Sequence, residues 1–288
     1  MASVTAIILT RNEEVNLGDC LDSIKGFAER AVVVDCGSSD RTVEIAKEKG
    51  ADVFVHDFVY YAQQYNWAID NVNVTTQWIL RIDADERLTP ALIKETEAII
   101  SREEAKTGDL NGVVMEADYI FLGRKIRYGL HKKRRLMLFK TGIGRIEDRR
   151  RDAHSIISSG TVATAKNRFL HYDFKDLGSY IRRYDWYATR EMQDYLDYKK
   201  GASTDINCGE AIARNRKNKF GLYYKAPRFL RAQLWFIYNY IFRFGFLDGK
   251  EGYLYHYFEC YWYRMLVDAK IYEQEKLNLP LEELKPLN

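Results

Sequence analysis

Three short apolar runs, residues 4–9, 30–35 and 78–82, each stop at a polar cluster, and this arrangement restricts the fold more than any other feature of the chain. Each run is rich in β-branched residues and almost uninterrupted, as expected of strands buried on both faces. Stretches with helical spacing follow them. Leu17, Leu21 and Ile24 share one face of residues 16–27. Residues 41–49 follow the turn Cys36-Gly37-Ser38-Ser39, with Ser39 or Asp40 as cap and Gly50 as stop. A further strand is expected at 52–55, a helix at 63–71, and another from near Pro90 to about residue 101. This βαβα order predicts an α/β fold with a mostly parallel central sheet, flanking helices and ligands at the strand carboxyl ends.

The chemistry gathers at those ends. Ile82-Asp83-Ala84-Asp85-Glu86 directly follows a buried strand. Carboxylates two residues apart on extended chain point to one side. There they can hold Mg²⁺ or Mn²⁺ while phosphate oxygens of a substrate complete the shell. Thr10-Arg11-Asn12-Glu13 closes the first strand, and Val34-Asp35-Cys36-Gly37-Ser38-Ser39-Asp40 closes the second, so both can converge with Asp83 and Asp85. An acid at Asp35 is suitably placed for a base or ribose. The chain has no GxGxxG and no GxxxxGK[ST], which counts against a dinucleotide oxidoreductase and a P-loop enzyme.

Charge and cysteine content narrow the setting. The net charge is only +3, with no overall call for nucleic acid, but residues 124–151 hold twelve Lys or Arg against Glu147 and Asp148. Residues 211–250 hold nine against Asp248 alone. Such blocks suit phosphates or anionic lipid heads. Cys20, Cys36, Cys208 and Cys260 form no CxxC pair and no zinc spacing, which fits a reduced, cytoplasmic location. The start does not read as a signal peptide, and no run reaches the roughly 18 uncharged apolar residues of a spanning helix. From about residue 174 the pattern is helical and dense in Tyr, Trp and Phe, placing a domain boundary near 165–175. We expect a catalytic region at 1–170 and a helical, acceptor- or membrane-associating region at 171–288. Arg at the flanks and aromatics on the body of 210–265 suit a helix lying in the lipid interface.

In order and spacing, residues 3–95 resemble family 2 of the inverting glycosyltransferases, which have the GT-A fold. The opening strand with Thr10-Arg11-Asn12-Glu13-Glu14, the segment from Val32 to Thr42 and the segment from Trp78 to Leu88 carry the resemblance. Gln63 to Asp70 resembles the helix before the last of these. More weakly, Arg134-Arg135-Leu136-Met137-Leu138-Phe139 is similar to a later strand, and Arg151-Asp152-Ala153-His154 to an Asp-Glu-His segment of bacterial lipopolysaccharide-core and capsule transferases.

The resemblance implies transfer of a sugar from a UDP-sugar donor to a saccharide acceptor, often linked to polyprenyl diphosphate, at the inner face of the cell membrane. It implies that Thr10, Asn12, Glu13 and Asp35 hold the nucleoside, that Asp83 sits by the ribose and diphosphate, and that Asp85 binds Mg²⁺ or Mn²⁺. We add Arg81 to the donor contacts and Asp83 to the metal ligands, while His154 either binds the metal or the diphosphate or is an ordinary packed histidine. Direct inversion needs a carboxylate base for the acceptor hydroxyl. The Asp-Glu-His segment reads Asp-Ala-His here, so the base is Asp152 or has been lost at Ala153. We take Asp152, with Glu147 and Asp148 as further carboxylates nearby. His171 reads as a packing residue. The alternatives are a nucleotide-sugar-binding protein disabled at Ala153 and a sugar-phosphate nucleotidyltransferase, whose glycine-rich first loop is missing here.

Overall fold

The computed structural model describes residues 3–106, 108–129, 134–148, 153–172, 175–199 and 223–278. Two compact units result, one formed by residues 1–120 and 132–173, the other by 121–131 and 174–288.

The elements of the first part of the chain are β1 (Val4–Thr10), α1 (Leu17–Ile24), β2 (Arg30–Asp35), α2 (Thr42–Glu48), β3 (Asp52–Val55), α3 (Tyr61–Asn71), β4 (Trp78–Arg81), β5 (Glu86–Arg87), α4 (Pro90–Lys106) and β6 (Leu110–Phe121). After the two-residue β7 (Arg124–Lys125) come β8 (Arg134–Lys140), β9 (Gly144–Ile146), β10 (Ser155–Ile157) and β11 (Thr161–His171). The main sheet runs β3-β2-β1-β4-β8-β6-β11-β5. Strands β1 to β4 are mutually parallel, β6 and β11 share their direction, and β8 and β5 run against them. The sheet is therefore mixed, with its parallel half where the sequence placed it.

Alternation along the strands builds the layers. Val4, Ala6 and Ile8 of β1 face a core completed by Leu17, Leu21 and Ile24 of α1 and Leu92, Ile99 and Ile100 of α4. Ile7, Val32, Val34 and Ile79 face the other way, onto Ala62, Tyr65 and Ala68 of α3. Each fully buried Val, Leu or Ile contributes about 1.5–3 kcal/mol, so both faces have ample reason to be covered. The consequence for function is the common edge. Thr10 lies opposite Asp35 in the β1–β2 register, and β4 flanks β1 on its other side, so the polar clusters after all three strands share one end of the sheet.

The second unit is helical: α5 (Leu177–Lys199), α6 (Leu230–Ile237) continued by a π-helical turn Tyr238–Phe242, a 3-10 turn Gly245–Asp248, α7 (Gly249–His256), a second π turn Tyr257–Trp262 and α8 (Tyr263–Leu277). Ala188 and Met192 of α5 pack on Val267 and Ile271 of α8. Charged groups are buried here in matched sets. Arg231 donates from Nε to Asp268 at 2.9 Å, with side chains 2% and 0% exposed. Glu191 accepts from Tyr224, Tyr263 and Arg264 at 2.8, 2.6 and 3.0 Å. Asp248 accepts the backbone N–H of Arg127 and Tyr128, both at 2.9 Å. Close by, the His256 ring fills the space where a side chain at Gly129 would stand, since a Cβ there would lie 1.7 Å from Nε2.

Candidate active site

The loops after β1 and β2 interlock. Asn12 sits in the left-handed region at φ 53°, which asparagine tolerates better than most residues. This turns its N–H onto Ser38 Oγ at 2.8 Å, while its Oδ1 accepts the Ser39 N–H at 2.8 Å. The Glu13 N–H donates to Thr42 Oγ1 at 2.7 Å, and the Glu13 carboxylate accepts Asn16 Nδ2 at 3.0 Å. Asp35, 2% exposed, accepts the N–H groups of Gly37 and Ser38 at 3.0 and 2.8 Å and the Thr10 hydroxyl at 3.0 Å. Thr10, Asn12, Glu13 and Asp35 thus come together as the sequence suggested. They also brace one another, and Asp35 shapes the Gly37 turn, at φ 90°, through several hydrogen bonds.

The second cluster follows β4. Tyr61 of α3 accepts Arg81 Nε at 3.0 Å and donates to Asp83 Oδ1 at 2.9 Å. Arg135 of β8 donates to Asp83 Oδ2 at 2.7 Å and forks onto Glu86, which is wholly buried. Glu86 in turn accepts the Asp83 N–H at 3.0 Å. Ligand-type atoms of Asp83, Asp85 and Glu86 lie within 4.8 Å of one another. His171, at the end of β11, reaches this group because it pairs in register with Glu86. Its Nε2 lies 3.4 Å from Asp85 Oδ2 and its Nδ1 3.7 Å from Glu86 Oε1. The Tyr172 N–H, one residue on, clamps the Asp85 carbonyl at 2.7 Å.

The charges in this cluster do not balance. Burial works to raise the Asp83 carboxyl, but Arg135 and then Arg81 hold it well below the usual carboxylate range. Burial pushes Glu86 up despite Arg135. Burial opposes the charge on Arg135, and Glu86 and Asp83 overcome it and raise its pKa. Burial also raises the Tyr61 phenol, so it remains a donor to Asp83. The arginine contacts go to Asp83 and Glu86, whereas Asp85 faces an imidazole. Carboxylate oxygens are the donors that Mg²⁺ or Mn²⁺ accepts, so the acidic residues fit a divalent cation.

His154 is not one of the mutually close acidic ligands. Its carbonyl accepts the Glu147 N–H at 2.8 Å, closing the β9–β10 hairpin. The next residue, Ser155, accepts Arg81 Nη1 at 2.9 Å, which ties this hairpin to the strand-end cluster. Asp152 lies outside the described residues, as do Arg149, Arg150 and Arg151. Ala153 packs against the apolar cluster that holds Ile146 and Phe139. Sequence reasoning missed Tyr61, Glu86, Arg135 and His171 as members of the site. The usable signals were Glu86 adjoining the acid pair and a lone histidine closing the apolar Phe169-Leu170 pair.

A sheet in this order, with interlocked loops after β1 and β2 and acids after β4, defines an α/β protein of the GT-A class. A family model described as glycosyl transferase family 2 matches residues 5–158, more than half of the chain, and the chain belongs to that family. An uncharacterized glycosyltransferase of Rickettsia typhi is 37% identical over 101 residues, 35% of this chain and 34% of that protein. The chain thus spans about a third of that relative's length. The lipopolysaccharide core biosynthesis glycosyltransferase LpsC of Rhizobium meliloti is 26% identical over 203 residues, 68% of this chain and 73% of that protein. Among solved structures, glucosyl-3-phosphoglycerate synthase from Mycobacterium tuberculosis, in complex with Mn²⁺, UDP and glucosyl-3-phosphoglycerate, aligns with a TM-score of 0.32 at 17% identity, covering 41% of this chain and 44% of that one.

Proposed function

We propose that this chain transfers a sugar from a UDP-sugar to a saccharide hydroxyl in bacterial surface-polysaccharide synthesis, with inversion at the anomeric carbon. The observation that carries the reading is the acid cluster after β4, whose arginines answer Asp83 and Glu86 and leave Asp85 facing His171. Thr10, Asn12, Glu13 and Asp35 shape the nucleoside pocket. Arg81, braced by Tyr61 and Ser155, meets the ribose and diphosphate beside Asp83. Asp85 and Asp83 would hold Mg²⁺ or Mn²⁺, with the His171 imidazole beside Asp85. The metal, when bound, acts as a Lewis acid that stabilises the charge on the leaving diphosphate.

Asp152 takes the acceptor hydroxyl proton as its oxygen bonds to the anomeric carbon. The bond from that carbon to the diphosphate breaks, and its electron pair leaves on UDP. Ala153, partly buried against the apolar cluster, offers no carboxylate, which leaves Asp152 as the acid of this segment. The family relationship to LpsC supports a lipid-linked saccharide as acceptor, met at the cytoplasmic face of the membrane.

The test is release of UDP from a panel of UDP-sugars, with Mn²⁺ and then with EDTA and with membrane extract as acceptor source. Metal-dependent release that disappears in Asp152→Asn and does not increase in Ala153→Glu is expected. Release by Ala153→Glu alone would place the base at 153 and overturn the assignment.

A further inference from the structure

The second unit carries an apolar surface that its own packing does not cover. Along α6 and the π turn after it, Leu230, Leu234, Ile237, Tyr238, Ile241 and Phe242 are all exposed, Phe242 at 68%. Their spacing of four, three, one, three and one residues keeps them on a single helical face. The opposite face carries buried Ala232 and Asn239, and Arg231 is buried at the margin of the exposed face. Phe244, Phe246 and Leu247 extend the exposed surface around the following corner, at 55%, 42% and 51%.

Two features show that this surface is built and held. Phe229 and Phe244 bracket the helical stretch, and both adopt left-handed backbone, at φ 65° and 61°. Glycine is the residue that suits such a position, and a bulky aromatic there is strained. Two rings retained against that strain, both in contact with water, point to a use for the side chains. The corner is also anchored from beneath. Asp248 accepts two backbone N–H groups from the 121–131 segment, and buried His256, whose Nδ1 lies 2.7 Å from the Gly252 carbonyl, packs against Gly245.

Charge indicates what covers the surface. Residues 229–247 contain no Asp or Glu. The acidic residues between 223 and 268 are Asp248, Glu251, Glu259 and Asp268. All of them are engaged within the unit, with the Arg127 and Tyr128 backbone, Arg124, Tyr180 and Arg231 respectively. Arg127, Lys225 and Lys250 are exposed, and Arg243 is half-buried. The geometry points to a bilayer bearing anionic phospholipid as the partner of this face: residues 229–247 lie in the interface with Phe242, Phe244 and Phe246 among the acyl chains, and the basic residues meet headgroup phosphates. A second copy fits less well, because a two-fold contact would oppose like-charged rims. No helix among the described residues is long and apolar enough to cross a membrane, in keeping with a chain that lies on it.

This inference deepens the reading of a membrane-borne acceptor by naming the surface and the lipid chemistry, and it is tested without sugar transfer. The full chain is floated with phosphatidylcholine vesicles, with and without phosphatidylglycerol, beside the double variant Phe242→Ser/Phe244→Gly. Glycine relieves the strain at 244, so the variant keeps its thermal midpoint. Its partition onto phosphatidylglycerol vesicles is expected to fall about tenfold or more. Lys225→Glu/Lys250→Glu is expected to remove most of the gain that phosphatidylglycerol gives. Vesicle binding by the double variant equal to wild type, or no binding by folded wild type, overturns the proposal. So does a concentration-dependent dimer that the same substitutions abolish in the absence of vesicle binding, which assigns the face to a second copy. UDP release measured on the same preparations reports separately on the transferase reading, which stands or fails whatever the vesicles show.

Discussion

Both units bury charge, and they do so in opposite ways. In the helical unit the sets are closed: Arg231 answers Asp268, and Glu191 takes two phenols and a guanidinium. At the end of the sheet three carboxylates, Asp83, Asp85 and Glu86, face two guanidiniums, Arg135 in direct contact and Arg81 one hydroxyl away across Tyr61. A closed set gives fixed geometry and nothing more, because a buried pair roughly offsets its own desolvation. An open set retains a demand for positive charge, of the kind a divalent cation can meet. Burial by itself therefore does not distinguish a site from scaffold. The charge left over does.

Substitutions can break this contrast at several points. The largest effect is expected at the open set: Asp85→Ala lowers kcat/KM by about a thousandfold, roughly 4 kcal/mol in the transition state, with the thermal midpoint essentially unchanged. Comparable loss of stability from Asp85→Ala, seen by calorimetry, would mean that the cluster is scaffold too. Arg231→Leu should do the reverse. It strands Asp268 and costs about 3–5 kcal/mol of stability in denaturant titration, yet UDP affinity of the folded fraction stays the same.

Tyr61→Phe sharpens the comparison within the first unit. It removes the hydroxyl between Arg81 and Asp83, and an expected cost of about 1.5–3 kcal/mol follows for a hydrogen bond to a charged group. The effect should appear as weaker donor binding more than as slower turnover.

The smallest effect concerns His256. Burial lowers its pKa from an ordinary 6.5, so the unfolded chain binds the proton more readily than the folded one. Stability contributed by the neutral ring is present above pH 6.5 and is lost as pH falls below it toward the folded pKa. Thermal midpoints of the helical unit should decline over that window, and His256→Gln should flatten the slope. A midpoint independent of pH in the wild type would contradict the burial argument.

The parallel half of the sheet was legible in the sequence because β1, β2 and β4 are buried on both faces and read as unbroken apolar runs. The rest was not. Strand β11 is largely exposed over its first half, with Lys166 and Arg168 interrupting any alternation, and β5 has only two residues. Their antiparallel pairing delivers His171 to Asp85, a contact between residues far apart in the chain that no local period encodes. The acid pair after β4 was legible from position alone. Its regulators Tyr61 and Arg135 come from a helix and a strand whose patterns speak only of packing. The place of Asp35 at the end of β2 was legible, but its hydrogen bonds to Thr10, Gly37 and Ser38 were not, since they depend on how two loops interlock.

The most direct measurement is calorimetric titration of UDP into the wild-type chain and Asp85→Ala, each with Mn²⁺ and again with EDTA. Binding that requires Mn²⁺ in the wild type and is lost in Asp85→Ala is the expected result. Equal UDP affinity with EDTA, or in the Asp85 variant, would contradict the assignment of the open acid cluster as the metal and donor site.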